Sequence, residues 1–174
     1  MGGAKIVVSG GIGAGKSTVV RAAMKQLGWT APGGFFTHWD GAERGAERLY
    51  FEPWTGGQHL LARRRAEPAE VGGLPYELEG TDFPVIAVAS WAEAAAGRPV
   101  VIDELGLIEF GAPEFPEAVA RLFRGPAPVL AVVQERALGR WLEAIGRDAV
   151  THRLEVAAAT RAALPAQIAA LFRA

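Results

Sequence analysis

The chain has 174 residues, half of them hydrophobic and 21% charged, with a formal net charge of −1. That suits one globular domain, 1–174, with a substantial core, and it excludes bulk electrostatic attraction to duplex nucleic acid or an anionic membrane. There is no cysteine, so disulfides, thiolate metal sites and thiol catalysis are excluded; with no signal-like start and no apolar run of the ~20 residues a membrane span needs, the expected location is cytoplasmic.

Lys5–Ser9 reads as a short buried strand closed by glycines. Lys16–Leu27 is helical, with Val19, Val20, Ala23 and Leu27 on its apolar positions and Gly28 as its stop. Gly33–Trp39 predicts a second strand, and the charged run 40–47 an exposed turn. "RLYFEPW" and "QHLLARR" predict a β-hairpin turning at Thr55, Gly56 and Gly57. Residues 64–82 show no period and read as a long surface loop. Asp82 is placed to cap a helix running to about residue 96, with Pro84 in its first turn. A strand at 99–103, a helix at 116–124, a strand at 128–133, a helix at 136–145, a strand at 150–156 and a closing helix at 165–172 follow. Alternating strands and helices imply an α/β three-layer sandwich around a mostly parallel sheet, with the hairpin at its edge.

The turn between the first strand and helix is "GGIGAGKST", which contains the P-loop pattern Gly10-x-x-x-x-Gly15-Lys16-Ser17 in its required strand–loop–helix context. Glycines allow successive backbone N–H groups to curl around an anion, and the helix adds its positive dipole end. Gly10, Gly11, Ile12, Gly13, Ala14, Gly15, Lys16, Ser17 and Thr18 are therefore the candidate nucleotide-binding residues. Lys16 is expected to reach the β- and γ-phosphates, and the Ser17 hydroxyl to ligate Mg²⁺.

A second apolar strand ends in Asp103 and Glu104. P-loop proteins hold Mg²⁺ with an Asp at such a position, and the ion needs few protein ligands because phosphates and water supply the rest. Asp103 is thus the second metal candidate. Side chains alternate along a strand, so Glu104 should leave in another direction; in P-loop ATPases of the additional-strand type, an acid here orients and deprotonates the attacking water. Asp103 to Gly106 also satisfies the D-x-x-G switch of GTPases, but the matching guanine motif needs a lysine, and none follows Lys25.

These motifs resemble a P-loop nucleoside-triphosphatase family that includes the human cancer-related nucleoside-triphosphatase and its archaeal and thermophilic bacterial relatives. The resemblance rests on the P-loop, "GGFFT" at 33–37, the hairpin "ERLYFEPWTGGQHLLAR", "VVIDELGLIEF" and "ATRAALP" at 159–165. Tyr50 and Thr160 depart from the family's Gly and Asn. The resemblance implies a RecA-like, additional-strand fold and Mg²⁺-dependent hydrolysis of nucleoside triphosphates, ATP or GTP among them, with broad base preference. It draws Glu109 toward the site and makes Arg161 the best arginine for nucleotide contact, with Arg48 as an alternative.

Gln134, at the end of a strand, is a candidate γ-phosphate sensor. Arg136, Arg140 and Arg147 are candidate arginine fingers, in cis or from a partner chain, and Arg63, Arg64 and Arg65 a candidate lid. His38, His59 and His152 lack metal spacing and read as structural or surface residues. Trp39 and Trp54 are the tryptophans placed for base stacking. Two rivals to the hydrolase share this machinery: a small-molecule or nucleotide kinase, favoured by an acceptor pocket under 64–82, and a nucleotide-gated binding module.

Overall fold

Side-chain alternation along the strands decides the layers. In the computed structural model, residues 3–41, 47–67, 70–79, 82–92 and 97–174 are described. The chain runs β1 (Lys5–Ser9), α1 (Lys16–Leu27), β2 (Gly33–Trp39), β3 (Arg48–Pro53), β4 (His59–Arg64), β5 (Tyr76–Leu78), α2 (Phe83–Ala92), β6 (Val100–Leu105), α3 (Glu114–Arg124), β7 (Val129–Val133), α4 (Leu138–Ile145), β8 (His152–Glu155) and α5 (Leu164–Arg173). Ile6, Val8, Val101, Leu130 and Val132 face one side, against Val19, Val20, Ala23 and Met24 of α1 and Leu164 and Ile168 of α5. Val7, Val100, Ile102, Val129, Ala131 and Val133 face the other, against Phe83, Trp91, Phe115, Phe123, Trp141 and Ile145 of α2, α3 and α4. Both faces of the central strands are covered, which is why they read as continuous apolar runs.

The eight strands form one sheet in the order β5-β4-β3-β2-β6-β7-β1-β8. From β2 to β8 the pairings are parallel, and β7 lies between β1 and β6. The carboxyl ends of β1, β2, β6 and β7 therefore share one edge, the usual ligand edge of such sheets. Among the described residues no helix is long and apolar enough to cross a membrane.

The expected edge hairpin is present as β3 and β4, paired to β2 through β3. The expected surface loop at 64–82 is corrected in part: β5 pairs antiparallel with β4, extending the antiparallel wing by one strand. A three-residue strand carries no readable period. Salt bridges flank it, Arg63 to Glu79 and Arg65 to Glu77, each at 3.0 Å. Those pairs occupy two of the three arginines expected to form a lid, so the run supports the sheet edge instead. The helix expected to reach residue 96 is seen as α2 to Ala92, and its last expected residues lie outside the described ones, as do 42–46 of the expected turn. The helix expected from residue 136 starts as a 3₁₀ turn, Glu135–Ala137, before α4.

Gly34 is the tightest point of the sheet. It has φ +90°, and a Cβ there would sit 2.2 Å from the Val101 carbonyl oxygen. The same carbonyl accepts the Trp54 indole N–H at 2.9 Å, which ties the hairpin turn to the buried strand β6. Gly34→Ala is expected to cost about 3 kcal/mol or more through clash and positive φ together, a fall in Tm of roughly 6–12 °C. Gly56→Ala shares the positive φ (+103°) but meets nothing within 4 Å, so it should cost only about 1 kcal/mol. Thermal melts of the two variants check the difference.

Candidate functional site

β1 delivers the phosphate loop to the ligand edge. Gly10 has φ +148°, and a Cβ there would lie 2.6 Å from the Val156 carbonyl oxygen just past β8. The first glycine is thus demanded by its neighbour strand as much as by any phosphate. Gly15 caps α1 in the left-handed conformation (φ 95°), and the first turn of α1 carries no acid, leaving its N–H groups and dipole available to an anion. Lys16 Nζ donates to the carbonyls of Gly10 and Gly11 at 3.0 and 2.9 Å, arching back over the loop.

A cavity of about 330 Å³ opens beside this loop, lined by Gly13, Gly15, Lys16, Ser17, Thr18, Thr37, Asp103, Glu104, Glu109 and Gln134, among others. Ser17 Oγ donates to Asp103 Oδ1 at 3.1 Å. Asp103 is buried, 4% exposed. Burial pushes its carboxyl up to about 6; the Ser17 hydrogen bond opposes this, the Glu104 charge adds to it, and Arg21 and Lys16 oppose it. Among the described residues no cluster of three or more His, Cys, Asp or Glu stands ready to hold a metal. A hydroxyl and one carboxylate at the mouth of a phosphate loop nevertheless fit Mg²⁺, which takes one or two protein oxygens and fills its octahedron with phosphate and water.

Asp103 and Glu104 part company as the alternation predicts, with help from a bulge. Asp103 pairs with Val132 and Leu105 with Val133, so Glu104 is the extra residue; the peptide between the two acids is cis. Bulges re-aim side chains in this way. Glu104 Oε1 accepts Gln134 Nε2–H at 2.8 Å, and Gln134 Oε1 in turn accepts from Arg136 Nε at 3.4 Å. Thr37 clasps the bulge from β2: its Oγ1 accepts the Glu104 N–H at 3.3 Å and donates to the Asp103 carbonyl at 3.4 Å. Thr37 lies within the "GGFFT" motif but drew no role from the sequence; its signal was its place at the carboxyl end of a strand parallel to β6.

Glu109 enters from the 3₁₀ turn Ile108–Gly111. It is 3% exposed, and its Oε2 accepts the Gly106 N–H at 3.0 Å. The carbonyl of the same Gly106 accepts the Trp141 indole N–H at 2.8 Å. Glu109 therefore pins the loop that follows the two acids. Burial pushes its carboxyl up to about 7, opposed by the N–H groups of Glu109 and Gly106 and reinforced by the Glu104 charge.

Of the other candidates, some fall outside the cavity and some line it. Arg161 lies exposed in the turn after β8 and lines neither this cavity nor the one beside it. Arg48 is exposed on β3 and also stays away. Arg140 packs over Phe110 at 3.9 Å. Trp54 lies against Phe36 (ring centroids 4.8 Å) and under Arg21, and takes no part in the cavity, whereas Trp39 lines it. His38 also lines it, and bonds Glu52 at 3.0 Å.

A family model described as NTPase matches residues 5–169. The chain is 30% identical over 147 residues to the nucleoside-triphosphatase THEP1 of Thermococcus kodakarensis, covering 79% of each protein. It is 29% identical over 135 residues to the nucleoside-triphosphatase THEP1 of Thermotoga maritima, covering 75% of this chain and 74% of that protein. Its fold is similar to the crystal structure of THEP1 from Aquifex aeolicus, with a TM-score of 0.75, 20% identity and coverage of 98% and 99% of the two chains. It is also similar to the solution structure of a human cancer-related nucleoside triphosphatase, with a TM-score of 0.74, 22% identity and 96% of each chain covered. The resemblance drawn from the motifs and the α/β sandwich are both borne out.

The raised Glu109 pKa has a stability consequence of definite sign. Between its ordinary value of 4.5 and about 7, the folded chain binds more protons than the unfolded one, so this group's contribution falls as pH rises through that window. Gln at this position still accepts the Gly106 N–H but does not titrate. Glu109→Gln is expected to match the wild type near pH 4 and to become more stable than it by pH 8, by at most about 3 kcal/mol. Denaturant unfolding of both proteins across that range checks it.

Proposed function

The chain belongs to the NTPase family, and from that premise we propose that it hydrolyses nucleoside 5′-triphosphates to diphosphate and phosphate with Mg²⁺. The observation that carries this reading is the division of the two acids: Asp103 on Ser17 at 3.1 Å, Glu104 on Gln134 at 2.8 Å. One faces the loop that would hold a metal and phosphates; the other is oriented by an amide on the opposite side.

In this reading the backbone N–H groups of residues 10–18 cradle the phosphates, and Lys16 exchanges the Gly10 and Gly11 carbonyls for β- and γ-oxygens. Ser17 and Asp103 hold Mg²⁺, which when bound neutralises charge on the phosphate oxygens. Glu104, held by Gln134, accepts a proton from the attacking water as its oxygen bonds to the γ-phosphorus and the bond to the bridging oxygen breaks. The Gln134 amide that holds Glu104 also lines the cavity that Lys16 lines, which supports its role as sensor. Arg161 is assigned to the nucleotide from outside the cavity. The polar groups converge on the phosphate end, which supports a broad base preference.

Phosphate release across a panel of nucleoside triphosphates tests this. Glu104→Gln is expected to keep nucleotide binding and lose about 10²–10⁴-fold in kcat. Lys16→Ala should lose binding, and chelation of Mg²⁺ should stop turnover. Wild-type turnover by Glu104→Gln would show that another group activates the water.

A further inference from the structure

Hydrolysis asks for room for one attacking water, whose share of liquid volume is about 30 Å³. Beyond Glu104 lies a second cavity of about 280 Å³, several times that size. It shares Lys16, Trp39, Glu104 and Gln134 with the first cavity, whereas Ser17 and Asp103 line the first cavity alone. The two spaces therefore meet at the groups assigned above to the γ-phosphate and the nucleophile. The second one begins where a triphosphate would end.

Its walls combine apolar and aromatic side chains with charged and amide groups. Ile12, at the tip of the phosphate loop, is 71% exposed, one of three large exposed hydrophobic residues among those described. Pro75, Tyr76 and Trp39 line the same cavity, with the two aromatic rings 4.7 Å apart and tilted by 51°. Aromatic and apolar side chains beside convergent polar groups mark a small-molecule site, and this volume lies near the lower bound of about 300 Å³ for such sites. The charged residues on its lining are Glu135 and Arg136, of opposite sign, besides Lys16 and Glu104 at the phosphate end. Pro75 and Tyr76 come from the segment that a kinase reading of the sequence singled out as cover for an acceptor.

We propose that this cavity binds a small, uncharged aromatic or heteroaromatic alcohol, and that the protein transfers the γ-phosphoryl group to it in competition with water. The inference rests on the reading of Lys16, Ser17, Asp103 and Glu104 as a nucleoside-triphosphate site. The alcohol oxygen bonds to the γ-phosphorus while the bond from that phosphorus to the β–γ bridging oxygen breaks. The hydroxyl proton passes to Glu104, and the diphosphate leaves with the bonding pair. The products are a phosphomonoester and a nucleoside diphosphate. Ile12, Trp39 and Tyr76 hold the ring, which brings the hydroxyl to the carboxylate.

The test follows the label from γ-³²P-ATP with Mg²⁺ in the presence of benzyl alcohol, pyridoxine or adenosine, separating inorganic phosphate from phosphomonoester. With at least one of these, ester should accumulate with saturation in the alcohol, and inorganic phosphate should fall by the same amount. Tyr76→Ala should lower ester formation about tenfold or more while leaving acceptor-free phosphate release within about twofold; Tyr76→Phe should retain both. Release of all label as inorganic phosphate with every alcohol overturns the proposal and leaves the hydrolase reading standing. So does ester formation unchanged by Tyr76→Ala when circular dichroism shows a folded variant. Absence of any ATP cleavage overturns both readings together, and the wild-type measurement stands if Tyr76→Ala does not fold.

Discussion

β7 between β1 and β6 is the constraint on which the site depends. Adjacent strands are ~4.8 Å apart, so the strand that carries the phosphate loop and the strand that carries the acids stand roughly 10 Å from one another. Without β7 the acids would abut the loop and leave no space for phosphates. With it, α1 brings Ser17 back to within 3.1 Å of Asp103, and the end of β7 puts Gln134 into the gap, on Glu104. Interposing one strand thus creates both the cavity and the residue that orients its second acid.

The acids divide their work because the backbone separates them. Asp103 stays in the ladder and points to α1; Glu104 is the unpaired residue of the bulge and points to β7. Thr37 ties down both polar groups of the peptide that joins them, and Glu109 and Trp141 fix the Gly106 turn that follows. Two buried carboxyl groups with raised pKa values, Asp103 and Glu109, flank Glu104 in sequence. Each disfavours charge for the same reason, loss of water, yet one lies beside a cation loop and the other beside backbone N–H groups alone.

Much of this was legible in the residues. The run Val100, Val101, Ile102 announced a strand covered on both faces, and Gly15 and Gly28 bracketed α1 as its caps require. The phosphate loop was legible because backbone geometry there depends on glycine within a few adjacent positions. β5 was not, since three residues have no period of their own. Nor was the fate of Arg63 and Arg65, whose carboxylate partners lie on or just past that strand and become neighbours only when the edge forms. Arg161 was drawn toward the nucleotide by motif order, and the structure places it on the exposed turn after β8.

The sequence by itself determined the parts whose physics is local: the anion-binding loop, the caps of its helix, the apolar alternation that makes three layers, and the absence of any lysine with which to complete a guanine motif. Only the tertiary structure decided which ends meet. Thr37, Asp103, Glu104 and Gln134 come from three strands, and their hydrogen bonds join residues 30 and more positions apart. Strand order and register set those contacts, and both follow from how whole faces pack, a property that no short window of residues contains.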